Sequence, residues 1–307
     1  MLCGNFKRGE SNGAGRELVC SGKVPGNMKK AMARIGMVNY INTAPIYEVW
    51  KEQVHRPDWA VTEAPPAHLN GLLATGDLDL GFVSCYEYAA RPEQYRIMAD
   101  LSISATGPVG SVFMFSLVPP KQLDGRKILM TGQSETSVWL LRIILEDFFA
   151  VRPEYTSGEI FAKRQHEEEP TAVLAIGDEA LRLANDPASP YPVRLDLAEF
   201  WNQQTGLPFV FSVCAVREDF LATAEDTARD LHQTLLACRD QGQKHLATIS
   251  AQVASRIPMH TTACLAYFQA MEYDLGPAKL RALEKFFSRL IRHEAASAKA
   301  LPLKIFQ

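Results

Sequence analysis

Apolar residues in the first third of the folded chain fall into short continuous runs separated by stretches with helical spacing. The run at 34–39 predicts a strand. A turn follows it, and Pro45 suits the first turn of a helix. Pro65 and Pro66 precede a helical pattern at 68–74 with Leu69, Leu72 and Leu73 on one face. Gly76 is placed to end that helix as a C-cap. Residues 78–83 read as a short buried strand, and Ser84 as the N-cap of the next helix with Glu87 as its capping-box partner. Strand, helix, strand, helix in such short units predicts a parallel sheet. Residues 95–99, 101–104 and 111–117 are also strand-like, and Pro119 and Pro120 then break the chain.

A second series follows. Residues 127–130 form a strand and 131–134 a turn. Val138, Leu141, Ile144, Leu145 and Phe148 mark an amphipathic helix. Residues 172–176 are another buried strand, Gly177 and Asp178 lead into a helix, and 209–216 form an apolar strand. The remainder is mostly helical. Leu231, Leu235 and Cys238 keep helical spacing, and 261–273 carries Cys264, Leu265 and Phe268. The last helix follows Gly276 and Pro277 and buries Leu280, Leu283, Phe287, Leu290 and Ile291.

This order predicts an α/β fold of two lobes, the first interrupted by the second. Lobe one is 33–118 plus 213–307 and lobe two is 119–212, with hinge crossings near 117–120 and 211–216 and a ligand cleft between the lobes. Residues 1–31 are rich in glycine and have little periodicity, so they are expected to form an extension outside the fold, with Met32 as a natural start. They carry no apolar core before a small-residue cleavage site, unlike a secretory signal.

Composition narrows the function. The chain has 307 residues, enough for two cores, and a net charge of −3, which offers no basic excess to neutralise phosphates. No apolar run reaches the roughly 20 residues of a membrane span. Nucleic acid and membrane are therefore not expected as partners. The six cysteines form no C-x-x-C pair and fit no zinc spacing. Cys238 and Cys264 sit on apolar helical faces and read as small core residues, and a reducing compartment is expected.

In open α/β sheets ligands gather beyond the carboxyl ends of the strands. Five stretches fit that description: 39–45, 84–87, 106–111, 131–137 and 177–179. Four of them offer Ser, Thr or Asn near a helix start or tight turn, where backbone N–H groups and short hydroxyls favour carboxylates. Each candidate has a plainer role as well. Asn42 can cap the helix containing Pro45, Ser84 can serve its capping box, and Asp178 can cap the helix it opens. Of Ser134, Thr136 and Ser137, one must cap and the others are left for ligand or solvent. Ser111 follows the turn at 107–110, whose glycines fit a tight turn or a close approach to ligand. The seven histidines all lie outside the five stretches, and nucleotide-loop and G-x-S-x-G patterns are missing. An enzyme built on these loops works without an obvious histidine base.

The strings IGMVNYINTAPIY at 35–47, GDLDLGFV at 76–83, YRI at 95–97, ISATGPVGS at 103–111, IGD at 176–178, TGLPFV at 205–210 and YDLGP at 273–277 together resemble the chorismate dehydratase family of the futalosine route to menaquinone. Their order and spacing cover nearly all of the chain after Ala33. The resemblance implies a type 2 periplasmic-binding-protein-like fold in a cytoplasmic enzyme. The expected reaction removes water from chorismate to give 3-[(1-carboxyvinyl)oxy]benzoate, with no metal or organic cofactor. It makes Asn42 and Ser111 the expected catalytic residues, by the N-x-x-P and G-P-V-x-S patterns, and carries over Thr136 and Ser137 as substrate-binding residues, to which Ser84 and Asp178 are added from their places after strand ends. The sister 1,4-dihydroxy-6-naphthoate synthase opens with an S-P-C-P-N-D type motif and uses a histidine, and neither feature is found in this sequence. A non-catalytic solute-binding protein for a small carboxylate is the alternative of a different class.

Overall fold

The computed structural model of the protein describes residues 32–160, 169–257 and 259–307. The extension expected at 1–31 lies outside the described residues. β1 (Ala33–Val38) is an almost fully buried apolar run. A short 3-10 turn, Ile41–Thr43, joins it to α1 (Ala44–Gln53), with Pro45 in the first turn. β2 (Trp59–Ala64) buries its two ends and leaves most of its middle in water, which is why no apolar run marks it in the sequence. α2 (Pro66–Thr75) ends at Gly76 in the left-handed region, φ +81°, as its position predicts.

β3 (Leu80–Ser84) feeds α3 (Cys85–Ala90). Ser84 Oγ accepts the Glu87 N–H, so the N-cap forms as expected. The reciprocal half of the capping box does not. The Glu87 carboxylate is drawn instead to Arg91 and the Tyr95 hydroxyl, and the Ser84 N–H donates to Asn70 Oδ1. β4 (Tyr95–Ala105) is one strand where the sequence suggested two. Its interruption is Asp100, at φ +57°, and the pairing register with the neighbouring strand slips across the same stretch.

β5 (Val112–Ser116) and β6 (Lys127–Met130) precede α4 (Glu135–Ile143), which runs on into a π turn, Ile144–Phe148. Next come β7 (Glu154–Ser157), β8 (Ala172–Ile176), α5 (Gly177–Asn185), β9 (Val193–Asp196) and α6 (Leu197–Thr205). β10 (Phe209–Arg217) leads into α7 (Glu218–Lys244), kinked at Ala224, and then α8 (Leu246–Val253). α9 (Thr261–Ala270) stops three residues short of the expected end, and α10 (Pro277–Arg292) and β11 (Ile305–Phe306) close the chain.

Two sheets result. The first has the order β11-β4-β10-β3-β1-β2 and the second β7-β6-β8-β5-β9. Neither is purely parallel as the short βα units implied. β10 runs antiparallel to β3 and β4, and β5 runs antiparallel to β8 and β9. β5 belongs to the second sheet, so the chain crosses between sheets within 106–111 rather than at the Pro119–Pro120 break. It returns between β9 and β10, which carries the second crossing upstream of the 211–216 stretch. Apolar pattern alone cannot assign a strand to a sheet, because a buried strand reads the same in either.

Candidate active site

A partly open cavity lies where the two sheets meet. The ends of β1 and β3 reach it from the first sheet, and the end of β8 and the start of α4 from the second, the usual place for a ligand in open α/β folds. Val38, Ile103, Val109, Val112, Phe211 and Met271 supply apolar wall. Asn42, Ser84, Ser111, Ser134, Ser137 and Ser212 supply the polar groups, with Tyr40 beside them. No carboxylate, histidine, lysine or arginine lines the cavity among the described residues.

Four of the six expected site residues converge here: Asn42, Ser84, Ser111 and Ser137. Asn42 sits in the 3-10 turn before α1, and it does not cap. The N-cap of α1 is Thr43, with no side-chain bond, and Asn42 Oδ1 is buried without a hydrogen-bond partner. An orphaned buried amide oxygen costs on the order of 1–3 kcal/mol, a cost that a ligand donor removes. Ser111 is 3% exposed and its Oγ accepts from the Tyr267 hydroxyl at 3.0 Å. Its carbonyl accepts from Gly177 N–H at 2.7 Å. Ser84 Oγ accepts from Asn70 Nδ2 at 2.9 Å as well as from Glu87 N–H, so its own proton remains to be donated. Ser134 is the residue that caps α4, accepting Ser137 N–H at 3.3 Å. The two hydroxyls lie 3.2 Å apart.

Thr136 and Asp178 lie outside the lining, and each ties one sheet to the other. Thr136 Oγ1 accepts the Tyr86 N–H at 3.0 Å, joining the start of α4 to the start of α3. Asp178 is not the cap of α5; that position is Ile176, with no side-chain bond. The Asp178 carboxylate lies near the Ile41 N–H, and its Oδ1 is buried without a partner. Burial pushes the Asp178 carboxyl up, against the pull of that N–H and of Arg182. A third tie is the Tyr40 hydroxyl, which donates to Gln133 Oε1. Burial first, and then the charges of Asp178 and Glu179, hold the Tyr40 phenol well above its usual range.

Residues 33–292 match the family model described as Menaquinone biosynthesis. The chain belongs to the menaquinone biosynthesis family. Over 270 residues it is 29% identical to the chorismate dehydratase of Thermus thermophilus, covering 83% of this chain and 94% of that one. Among solved structures it is similar to a protein of Archaeoglobus fulgidus, with TM-score 0.69 and 16% identity over 85% of this chain and 97% of that one. It is also similar to the alkanesulfonate-binding protein SsuA of Xanthomonas axonopodis, with TM-score 0.63 and 13% identity over 91% and 99%. A Candida albicans protein described as having the generic periplasmic binding protein fold matches at TM-score 0.64 and 10% identity over 89% and 95%. The fold is therefore the two-sheet, periplasmic-binding-protein-like one that the resemblance implied.

In this family member, sequence reasoning missed Tyr40, Tyr267, Asn70 and Asp196. Tyr40 lay inside a quoted motif, but an aromatic residue there reads as wall. Asp196 accepts four backbone N–H groups: Val109 at 3.0 Å, Gly110 at 2.7 Å, Ala198 at 3.0 Å and Glu199 at 3.1 Å. It thereby fixes the crossover loop that carries Ser111. Its only sequence signal was an N-cap position before α6, which says nothing of the loop 86 residues upstream.

Proposed function

We propose that the protein dehydrates chorismate to 3-[(1-carboxyvinyl)oxy]benzoate in menaquinone biosynthesis, with the cavity between the sheets as its active site. The family match and the dehydratase relative support the reaction. The observation that carries the site is the wall itself, which offers neutral donors and helix starts and no charged side chain.

Chorismate has two carboxylates and one hydroxyl. The amino ends of α4 and α5 bring partial positive charge to the cavity, and the Ser84, Ser111 and Ser134–Ser137 hydroxyls add short donors. That combination holds carboxylates without a fixed cation. The 4-hydroxyl is the ligand donor that satisfies Asn42 Oδ1. Ser111 donates to the ring carboxylate, where charge accumulates when the proton leaves the ether-bearing carbon. The 4-hydroxyl then departs and the ring becomes aromatic. Since the described lining holds no carboxylate or histidine, the enolpyruvyl carboxylate of the substrate is the proton acceptor, held in reach of its own ring by the apolar wall. As a carboxylic acid it then supplies the proton with which the hydroxyl leaves as water, so the protein exchanges no net proton. Asn42 and Ser111 touch the reacting groups in this scheme. Ser84 and Ser137 bind, and Thr136 and Asp178 act by holding the two sides together.

The cysteines fit a cytoplasmic enzyme. The four described ones are unpaired and buried, and burial pushes the Cys85 thiol up to about 12 and Cys238 up to about 11. The test is to mix purified protein with chorismate and weigh the product by mass spectrometry. Loss of one water at catalytic protein concentration is expected. Tight binding with chorismate left unchanged would instead make the protein a solute binder.

A further inference from the structure

Tyr267 lies on α9, outside the wall of the cavity, and meets the site only through a serine. Its residue is 7% exposed, and its hydroxyl donates to Ser111 Oγ at 3.0 Å. Burial, reinforced by the nearby charges of Asp178 and Asp196, holds the Tyr267 phenol above its usual range, against the pull of Ser111. The phenol therefore keeps its proton through the working pH range. A serine hydroxyl has one proton and two lone pairs. When Tyr267 fills one lone pair, the Ser111 proton must turn away from the tyrosine. The backbone on either side is already fixed, by Asp196 on Val109 and Gly110 and by Gly177 on the Ser111 carbonyl. The direction left for the proton is the cavity that Ser111 lines. Donating to a hydroxyl also polarises it, so the chain Tyr267–Ser111–ligand is a stronger donor than serine alone.

We propose that Tyr267 is a positioning residue that acts through Ser111, directing and strengthening the single proton that this serine presents to the ligand. The inference rests on the reading of Ser111 as a donor in chorismate dehydration and goes beyond it by naming what makes the serine a donor. A second tyrosine provides a built-in comparison. Tyr273 is also buried, and its hydroxyl donates at 2.9 Å, but to the backbone carbonyl of Asn42. Removing its hydroxyl perturbs the turn that carries Asn42 without touching the hydrogen bond to Ser111.

The experiment is a double-mutant cycle on the full chain. Turnover of chorismate and calorimetric affinity for the product, 3-[(1-carboxyvinyl)oxy]benzoate, are measured for wild type, Tyr267→Phe, Ser111→Ala and the double variant. Tyr273→Phe is examined alone and combined with Ser111→Ala, and melting curves confirm that every variant is folded. Tyr267→Phe is expected to lower kcat about tenfold with a smaller change in KM. In the Ser111→Ala background the same change is expected to cost nothing further, whereas Tyr273→Phe keeps its full effect. Multiplicative losses for Tyr267→Phe and Ser111→Ala, or an unchanged kcat in Tyr267→Phe, overturn the inference. If wild type leaves chorismate unchanged but binds the product with the same Tyr267–Ser111 coupling, the dehydratase reading falls and the positioning role stands. If wild type neither turns over chorismate nor binds the product, both fall.

Discussion

Gly242, on α7, is where a one-carbon change far from the cavity should be felt at Asn42. A Cβ built on this glycine would stand 1.5 Å from the Pro45 carbonyl oxygen and 2.5 Å from its carbon. Both are backbone atoms in the first turn of α1, so no side chain can swing aside. Restoring even a 3.0 Å contact requires the helices to separate by about 1.5 Å. In an isolated helix Gly→Ala is worth about 1 kcal/mol in favour of alanine. Overpacking against an unyielding neighbour costs about 1–3 kcal/mol and occasionally more, and this clash is at the severe end. Gly242→Ala should therefore destabilise by about 2 kcal/mol, lowering Tm by about 4–8 °C for a domain of this size. The functional loss should be larger than that suggests. Asn42 is three residues before Pro45 in the turn that leads into α1. A displacement of about 1 Å at a reacting group can cost 100-fold in rate. The assay pairs thermal melting with chorismate turnover measured well below the melting range. A variant that melts at or above wild type and keeps its kcat would refute the close-packing argument.

Four further outcomes are expected. Asn42→Ala should reduce kcat for chorismate by about 100-fold if its amide meets the departing hydroxyl, measured by steady-state product formation. Asp196→Asn puts an amide N–H₂ among four backbone N–H donors, and loss of two charge-assisted bonds should cost about 3 kcal/mol, seen as a lower denaturation midpoint together with a fall in kcat through the Ser111 loop. Gly177→Ala forces a side chain into φ +55° and within 3.1 Å of the Tyr40 ring, so it should cost about 1–2 kcal/mol and raise KM, and a wild-type KM would count against the Tyr40 contact. Asp147 is pushed up by burial but drawn down further by His293 and Arg289, leaving its carboxyl below the usual range. Its contribution to stability is therefore complete above its unfolded value near pH 4 and is lost as pH falls through the lower folded value, so the Asp147→Asn variant should lose less stability than wild type across that acid range in urea titrations.

The fold class was legible because buried strands and amphipathic helices leave periodic signatures, and β6 and β8 fall where their apolar runs place them. What failed to show was what periodicity does not encode. β2 buries only its ends, and β5 looks the same whichever sheet it joins. The site was half legible for a similar reason. Short polar side chains after strand ends and at helix starts are visible in a sequence, so Asn42, Ser84, Ser111 and Ser137 could be named. Which of Ser134, Thr136 and Ser137 caps α4 depends on side-chain direction within a single turn. The structure gives that task to Ser134 and turns Thr136 toward Tyr86. Tyr267 reaches Ser111 from 156 residues away in sequence, and Asp196 reaches the preceding Gly110 from 86, and no local pattern announces a partner at that range.

The neutral wall also explains how a fold shared with solute binders can host an elimination. A binder needs donors for a carboxylate and an apolar surface for the rest of the ligand, and this cavity has both. To become a catalyst it must in addition stabilise charge that appears only after a proton has moved, and it must do so without shifting when that happens. Fixed donors meet that need only if they are held from behind. Ser84 is held by Asn70 through two hydrogen bonds, one to its hydroxyl and one from its backbone. Ser111 is held by Tyr267, Gly177 and, through its loop, Asp196. Among the described wall residues Asn42 Oδ1 is a buried amide oxygen with no protein partner, and under the proposed function it is the acceptor for chorismate's single hydroxyl, the one that leaves.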